Sequence, residues 1–157
     1  MPLINIFSNI WFFFSNFPLD PNVQNAEYQQ EINTIKKIRQ LHDIKKLLNM
    51  DKEVSYWNKV DEYNKEIKEQ IMVNKHKKLH ATYNSIVKVI EKTILSGNVI
   101  LIYTIESHEC LIGLYLYLLK KISNMPLNKS INTLASKISG INYKMSDNMR
   151  KFLSLVC

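Results

Sequence analysis

The stretch from 99 to 121 constrains the fold more than any other part of this 157-residue chain. Ser96-Gly97-Asn98 closes a helical repeat, and Val99-Ile100-Leu101-Ile102-Tyr103 then runs apolar without a break. A continuous, β-branched run after a turn signal is the pattern of a strand buried on both faces. A short polar loop, 104 to 109, leads into CLIGLYLYLLKKI, which is apolar nearly all round and therefore a buried helix. A strand with two buried faces needs a layer on each side, so this unit calls for an α/β sandwich. Its loop meets a helix N-terminus, the place where open α/β sheets put their sites.

The remaining segments supply the layers. Residues 10 to 14 read as a strand, and from 27 to 41 Tyr28, Ile32, Ile35, Ile38 and Leu41 recur three or four apart, which is one face of a helix. IKKLLNM, 44 to 50, is a short buried strand or the tail of that helix; 51 to 66 reads as a loop or irregular helix, and 67 to 73 as a further short strand. From 78 to 95 Leu79, Tyr83, Ile86, Val87, Ile90 and Ile94 mark a second amphipathic helix, which Gly97 stops. Pro126-Leu127 opens a helix through 138, and Ser146-Asp147 caps a last one that carries Met149, Phe152, Leu153 and Val156. With no internal repeat and a length within one ordinary domain, the expectation is a compact single α/β domain over 1–157, a short mixed central sheet flanked by helices.

Composition narrows the chemistry. Three glycines leave almost nothing for a phosphate-cradling Gly-rich loop, and two cysteines, Cys110 and Cys157, make neither a disulfide framework nor a four-thiolate zinc site. The net charge of +7 raises nucleic acid or an acidic membrane surface as a partner. Its make-up argues for coding bias instead: only Arg39 and Arg150 are arginine, while Lys, Asn and Ile abound, as in AT-rich genes. The basic residues between 36 and 78 are also dispersed among acids, as on solvated helix faces. The apolar start, 1 to 17, lacks a positive n-region and a small-residue cleavage site, and Asn5, Ser8, Asn9, Ser15 and Asn16 interrupt it. We therefore expect a reduced, intracellular protein with no membrane partner.

The unit from 99 to 121 resembles the signature region of the cysteine-dependent protein phosphatases, especially the compact dual-specificity type, in which a hydrophobic strand runs into HCxxGxxR, then Ser or Thr, then a buried helix. Asn9-Ile10-Trp11 resembles the family's opening strand, and DIKKLLNM its strand ending in a Leu-Asn pair. Residues 66 to 73 resemble the strand leading to its general-acid loop, and 125 to 138 and 145 to 155 its closing helices. The resemblance covers about 9 to 155 by pattern and order more than by identities. It implies a pocket without its reagents. Tyr103 stands where the family has His, Thr104 where it has the nucleophilic Cys, Ser107 in place of Gly, Cys110 in place of Arg and Leu111 in place of Ser or Thr. The general acid falls near Asn74, with no carboxylate between 72 and 79. A Thr hydroxyl without a base is a poor nucleophile, and losing Arg removes the fork that holds phosphate. Glu106 and Glu109 add negative charge where a dianion would sit.

The resemblance thus implies an inactive pseudophosphatase that binds another protein in a structural or regulatory role, with no cofactor, no metal, and self-association left open. Two other readings stand beside it. One is a basic nucleic-acid-binding protein. The other is an active thiol phosphatase in a shifted register, with Cys110-x-x-Gly113 opening the signature, His108 two residues earlier and Leu116 in place of Arg. His108 and Cys110 alone cannot complete a metal site. His42, His76 and His80 read as surface residues, and Trp11 and Trp57 as core and loop packing.

Overall fold

A computed structural model describes residues 3–7, 9–14, 25–58, 65–104, 108–137 and 145–157. Four strands, β1 (Leu3–Ile6), β2 (Ile10–Phe13), β3 (Lys46–Asn49) and β4 (Ile100–Tyr103), form one sheet in the order β1-β2-β4-β3. β1 runs antiparallel to β2, whereas β2 and β3 both lie parallel to β4. Five helices surround it: α1 (Asn25–Leu41), α2 (Lys65–Leu95), α3 (His108–Ser123), α4 (Leu127–Lys137) and α5 (Asp147–Val156). The expected mixed sheet flanked by helices is present, with the strand of the signature-like unit at its centre.

The two faces of the sheet follow from strand alternation. Ile10, Phe12, Ile100 and Ile102 turn to one side and join a large core with α2, α3 and α5, through Leu79, Tyr83, Ile90, Leu114, Phe152 and others. Phe13 and Leu101 turn to the other side and meet Ile35 and Ile38 of α1, with Ile44 closing the cluster. α3 is buried from Cys110 through Leu119, as its all-round hydropathy requires. Each such fully buried aliphatic side chain contributes about 1.5–3 kcal/mol relative to exposure. Tyr115 of α3 packs edge-on against Phe12, 5.5 Å between ring centroids, and so couples the central helix to the sheet.

Two expectations change. The strand expected over 67 to 73 does not exist: these residues belong to α2, a single helix of 31 residues. Ile71, Met72 and Val73 mimic a β run locally. Half-buried or buried positions at Met72, His76, Leu79, Tyr83, Ile86 and Ile90 nevertheless continue one helical stripe, and neither Gly nor Pro intervenes before Gly97. The second change is an addition, β1, whose four residues LINI carry too short an alternation to stand out. Of the expected loop or irregular helix, 55–58 form a 3-10 helix, and 59–64 lie outside the described residues. The 3-10 helix holds α2 through Tyr56, whose hydroxyl lies 3.1 Å from Thr82 Oγ1 and whose ring sits under Lys78 Nζ.

No helix among the described residues is long and apolar enough to cross a membrane.

Candidate functional site

The three parallel strands end in one row, with Phe13, Tyr103 and Asn49 in register. The next residue of each chain, Phe14, Thr104 and Met50, is buried. Thr104, at the position the resemblance gives to the nucleophile, has 0% exposure, and its hydroxyl has no hydrogen-bond partner. Among the described residues no imidazole or carboxylate accepts its proton. Glu106 and Ser107 fall in 105–107, outside the described residues.

Across the loop, α3 opens on His108 and Glu109. Glu109 was expected to crowd an anion; its carboxylate is directed elsewhere. Glu109 Oε1 accepts the Ser146 N–H at 3.2 Å and also the Ser146 hydroxyl, while Ser146 Oγ accepts the Met149 N–H at 3.2 Å. The expected cap of α5 is therefore formed, and Glu109 ties it to the first turn of α3.

Cys110, which stands in place of the family's Arg, is 1% exposed. Burial holds its thiol well above the ordinary value of 9.0, and the neighbouring charges of Glu109 and Asp51 push the same way. A helix N-terminus by itself would favour thiolate; here desolvation wins, because the side chain faces the core. Leu111 is fully buried as well. Gly113, the glycine of the shifted register, has a packing role: a Cβ there would overlap Tyr83 Oη and stand 3.1 Å from Met149 Sδ. The bare backbone lets Tyr83 reach over α3 and donate its hydroxyl to Cys110 O at 2.6 Å. Desolvation keeps that phenol protonated far into alkaline pH. Sequence reasoning placed Tyr83 on an apolar face and missed this bond; a Tyr in an otherwise aliphatic stripe and a Gly inside a buried helix were its only signals.

Asn74 does not belong to a general-acid loop. It is exposed in the middle of α2, so the resemblance fails at this element. The two histidines near it also differ from expectation. His76 and His80 are half-buried at the α2–α5 contact, where Phe152 lies 5.6 and 6.5 Å from their rings. His76 Nε2 donates to Asn148 Oδ1 at 2.6 Å and its ring stacks on Trp57, which belongs to the core where loop packing was expected. Tyr117 donates its hydroxyl to Asn84 Oδ1 at 2.5 Å, so it receives His80 Nε2–H, 3.2 Å away. Trp11 is half-buried against His42, ring centroids 4.3 Å apart. Among the described residues no group of three or more His, Cys, Asp or Glu side chains comes together that could hold a metal ion.

Comparisons with family models, curated proteins and solved structures find no match for this chain.

Proposed function

We propose that this chain is a catalytically inactive, dual-specificity-phosphatase-like domain that works by binding another protein. The observation that carries the reading is the complete burial of Thr104 at the end of the central strand, with no partner for its hydroxyl among the described residues. Supporting it, three of the four strand segments that carry the resemblance pair with one another in the order β2-β4-β3, and a buried helix follows the central one. The segment that would deliver the general acid is helix instead, with the non-acidic Asn74 at the matching position. The shifted register requires Cys110 as a thiolate, against both its burial and the charges beside it.

Hydrolysis of p-nitrophenyl phosphate and of phosphotyrosyl or phosphoseryl peptides is expected at background, with no rise in melting temperature on adding millimolar vanadate. Turnover that disappears in Cys110→Ser would establish the thiol enzyme and overturn the proposal. Affinity capture followed by a titration with the purified candidate tests the binding role, and a stoichiometric protein complex is the expected result.

A further inference from the structure

β2, β4 and β3 also begin in one row, with Ile10, Ile100 and Lys46 in register, at the end of the sheet opposite Thr104. The turns feeding them, 7–9, 96–99 and 42–45, therefore lie side by side. Backbone bonds join the row: Ile100 N–H donates to Asn9 O at 3.0 Å and Lys46 N–H to Val99 O at 3.2 Å. Each turn holds one residue in the left-handed region, Phe7 at φ 52°, Gly97 at 76° and Asp43 at 51°. Gly and Asp adopt this conformation readily, whereas a bulky aromatic residue is an outlier there and marks a position to explain. Its effect is to hold a phenyl ring out at 44% exposure. The two helices that run into the other turns also finish on apolar side chains in water, Leu41 at 79% and Leu95 at 87%. α1 and α2 lie on opposite faces of the sheet, so these leucines flank the row from both sides.

Cations stand beside two of the three tips, at the ends of α1 and α2. Arg39 and Lys45 are exposed at the Leu41 end and Lys92 at the Leu95 end, and an open depression at the α1–β3 turn is lined by Lys36, Arg39 and Lys45 along with Gln40, Asp43 and Ile44. Arg39 donates its Nε–H to Ile44 O at 3.2 Å, which fixes the guanidinium in the wall of that depression. Asp43 opposes it but is engaged with Lys45 at 3.0 Å, and Glu91 is the acid beside Lys92.

Separate apolar tips among lysines are a poor protein interface, whose core is contiguous and depleted in Lys. They are complementary to a lipid surface, where tips enter the acyl boundary and cations meet anionic headgroups. We propose that this end of the molecule docks on membranes containing anionic phospholipid, with Phe7, Leu41 and Leu95 inserted and Arg39, Lys45 and Lys92 at headgroup level. The proposal is independent of the phosphatase-like reading. It stands against the expectation of no membrane partner, which set aside an acidic membrane surface on the make-up of the net charge and an N-terminal signal or anchor on the make-up of residues 1 to 17.

The test is flotation of the full chain with phosphatidylcholine vesicles, with and without about 30% phosphatidylserine. Binding is expected with phosphatidylserine only, weakening as salt is raised. The fully surface-placed triple variant Phe7→Ser/Leu41→Ser/Leu95→Ser is expected to lower the partition coefficient at least tenfold, as is Lys45→Gln/Lys92→Gln. Circular dichroism checks folding, and Leu41→Ser/Leu95→Ser serves if the change at Phe7 disturbs its turn. No flotation, equal flotation with neutral vesicles, or unchanged flotation of the triple variant overturns the proposal. So does a dimer in sedimentation that the triple variant dissociates while vesicles go unbound, which would make this end a contact between copies.

Discussion

The contact between Tyr83 and Gly113 shows how much of this molecule depends on one missing methyl group. Placing a side chain at 113 forces the phenol away from Cys110 O or displaces Met149, and both lie in the packed core. Gly113→Ala is expected to destabilise by about 1–3 kcal/mol in urea unfolding, despite the better helix propensity of Ala. Tyr83→Phe removes both the hydrogen bond and the obstructing oxygen, so Gly113→Ala should cost less in that background; strictly additive changes would dismiss the contact. Cys110 carries a second consequence at this scale. Its thiol ionises at higher pH in the native state than in the unfolded chain, so above the ordinary value of 9.0 the native state holds more protons. Stability is then full below about pH 9 and falls as pH rises beyond it. Tyr83 acts in the same direction from 10.0 upward. The urea midpoint should therefore decline above about pH 9, and Cys110→Ala, though less stable at neutrality, should flatten the first part of that decline. An unchanged slope in the variant would remove Cys110 as its cause.

Among the elements, α2 separates what a sequence displays from what it conceals. Its second half was legible because Leu79, Tyr83, Ile86, Val87 and Ile90 keep helical spacing up to a glycine stop. Its first half was not, because Ile71-Met72-Val73 sit together and the residues that continue the stripe, His76 and His80, are polar and set among lysines. Only partners distant in sequence, Asn148, Phe152 and Tyr117, explain why those imidazoles lie inward. Asn74→Pro discriminates between helix and loop. In mid-helix it should cost about 3 kcal/mol, whereas a loss below about 1 kcal/mol would restore the loop. β4 and α3 were legible for the opposite reason, since burial on all sides leaves a composition that needs no partner to read. The environment of Thr104 was not, because whether a strand-end hydroxyl meets solvent depends on Phe14 and Met50 from neighbouring strands.

The whole molecule is unevenly built. Among the described residues α1 is the helix on one face of the sheet and rests on a cluster of five buried residues, whereas α2, α3 and α5 share the large core on the other. Native-state hydrogen exchange should accordingly show α1 amides opening well below the free energy of global unfolding and α3 amides only with it. Equal protection of both helices would contradict this division. The order of the sheet has a bearing on biosynthesis. β2 and β3 never touch each other; both are joined through β4, the last strand in the sequence. A chain emerging from the ribosome amino end first therefore holds β3 with no strand to pair with until the segment after Gly97 is released. The β1–β2 hairpin can form early, but its union with β3 is keyed to a piece made after the other three described strands.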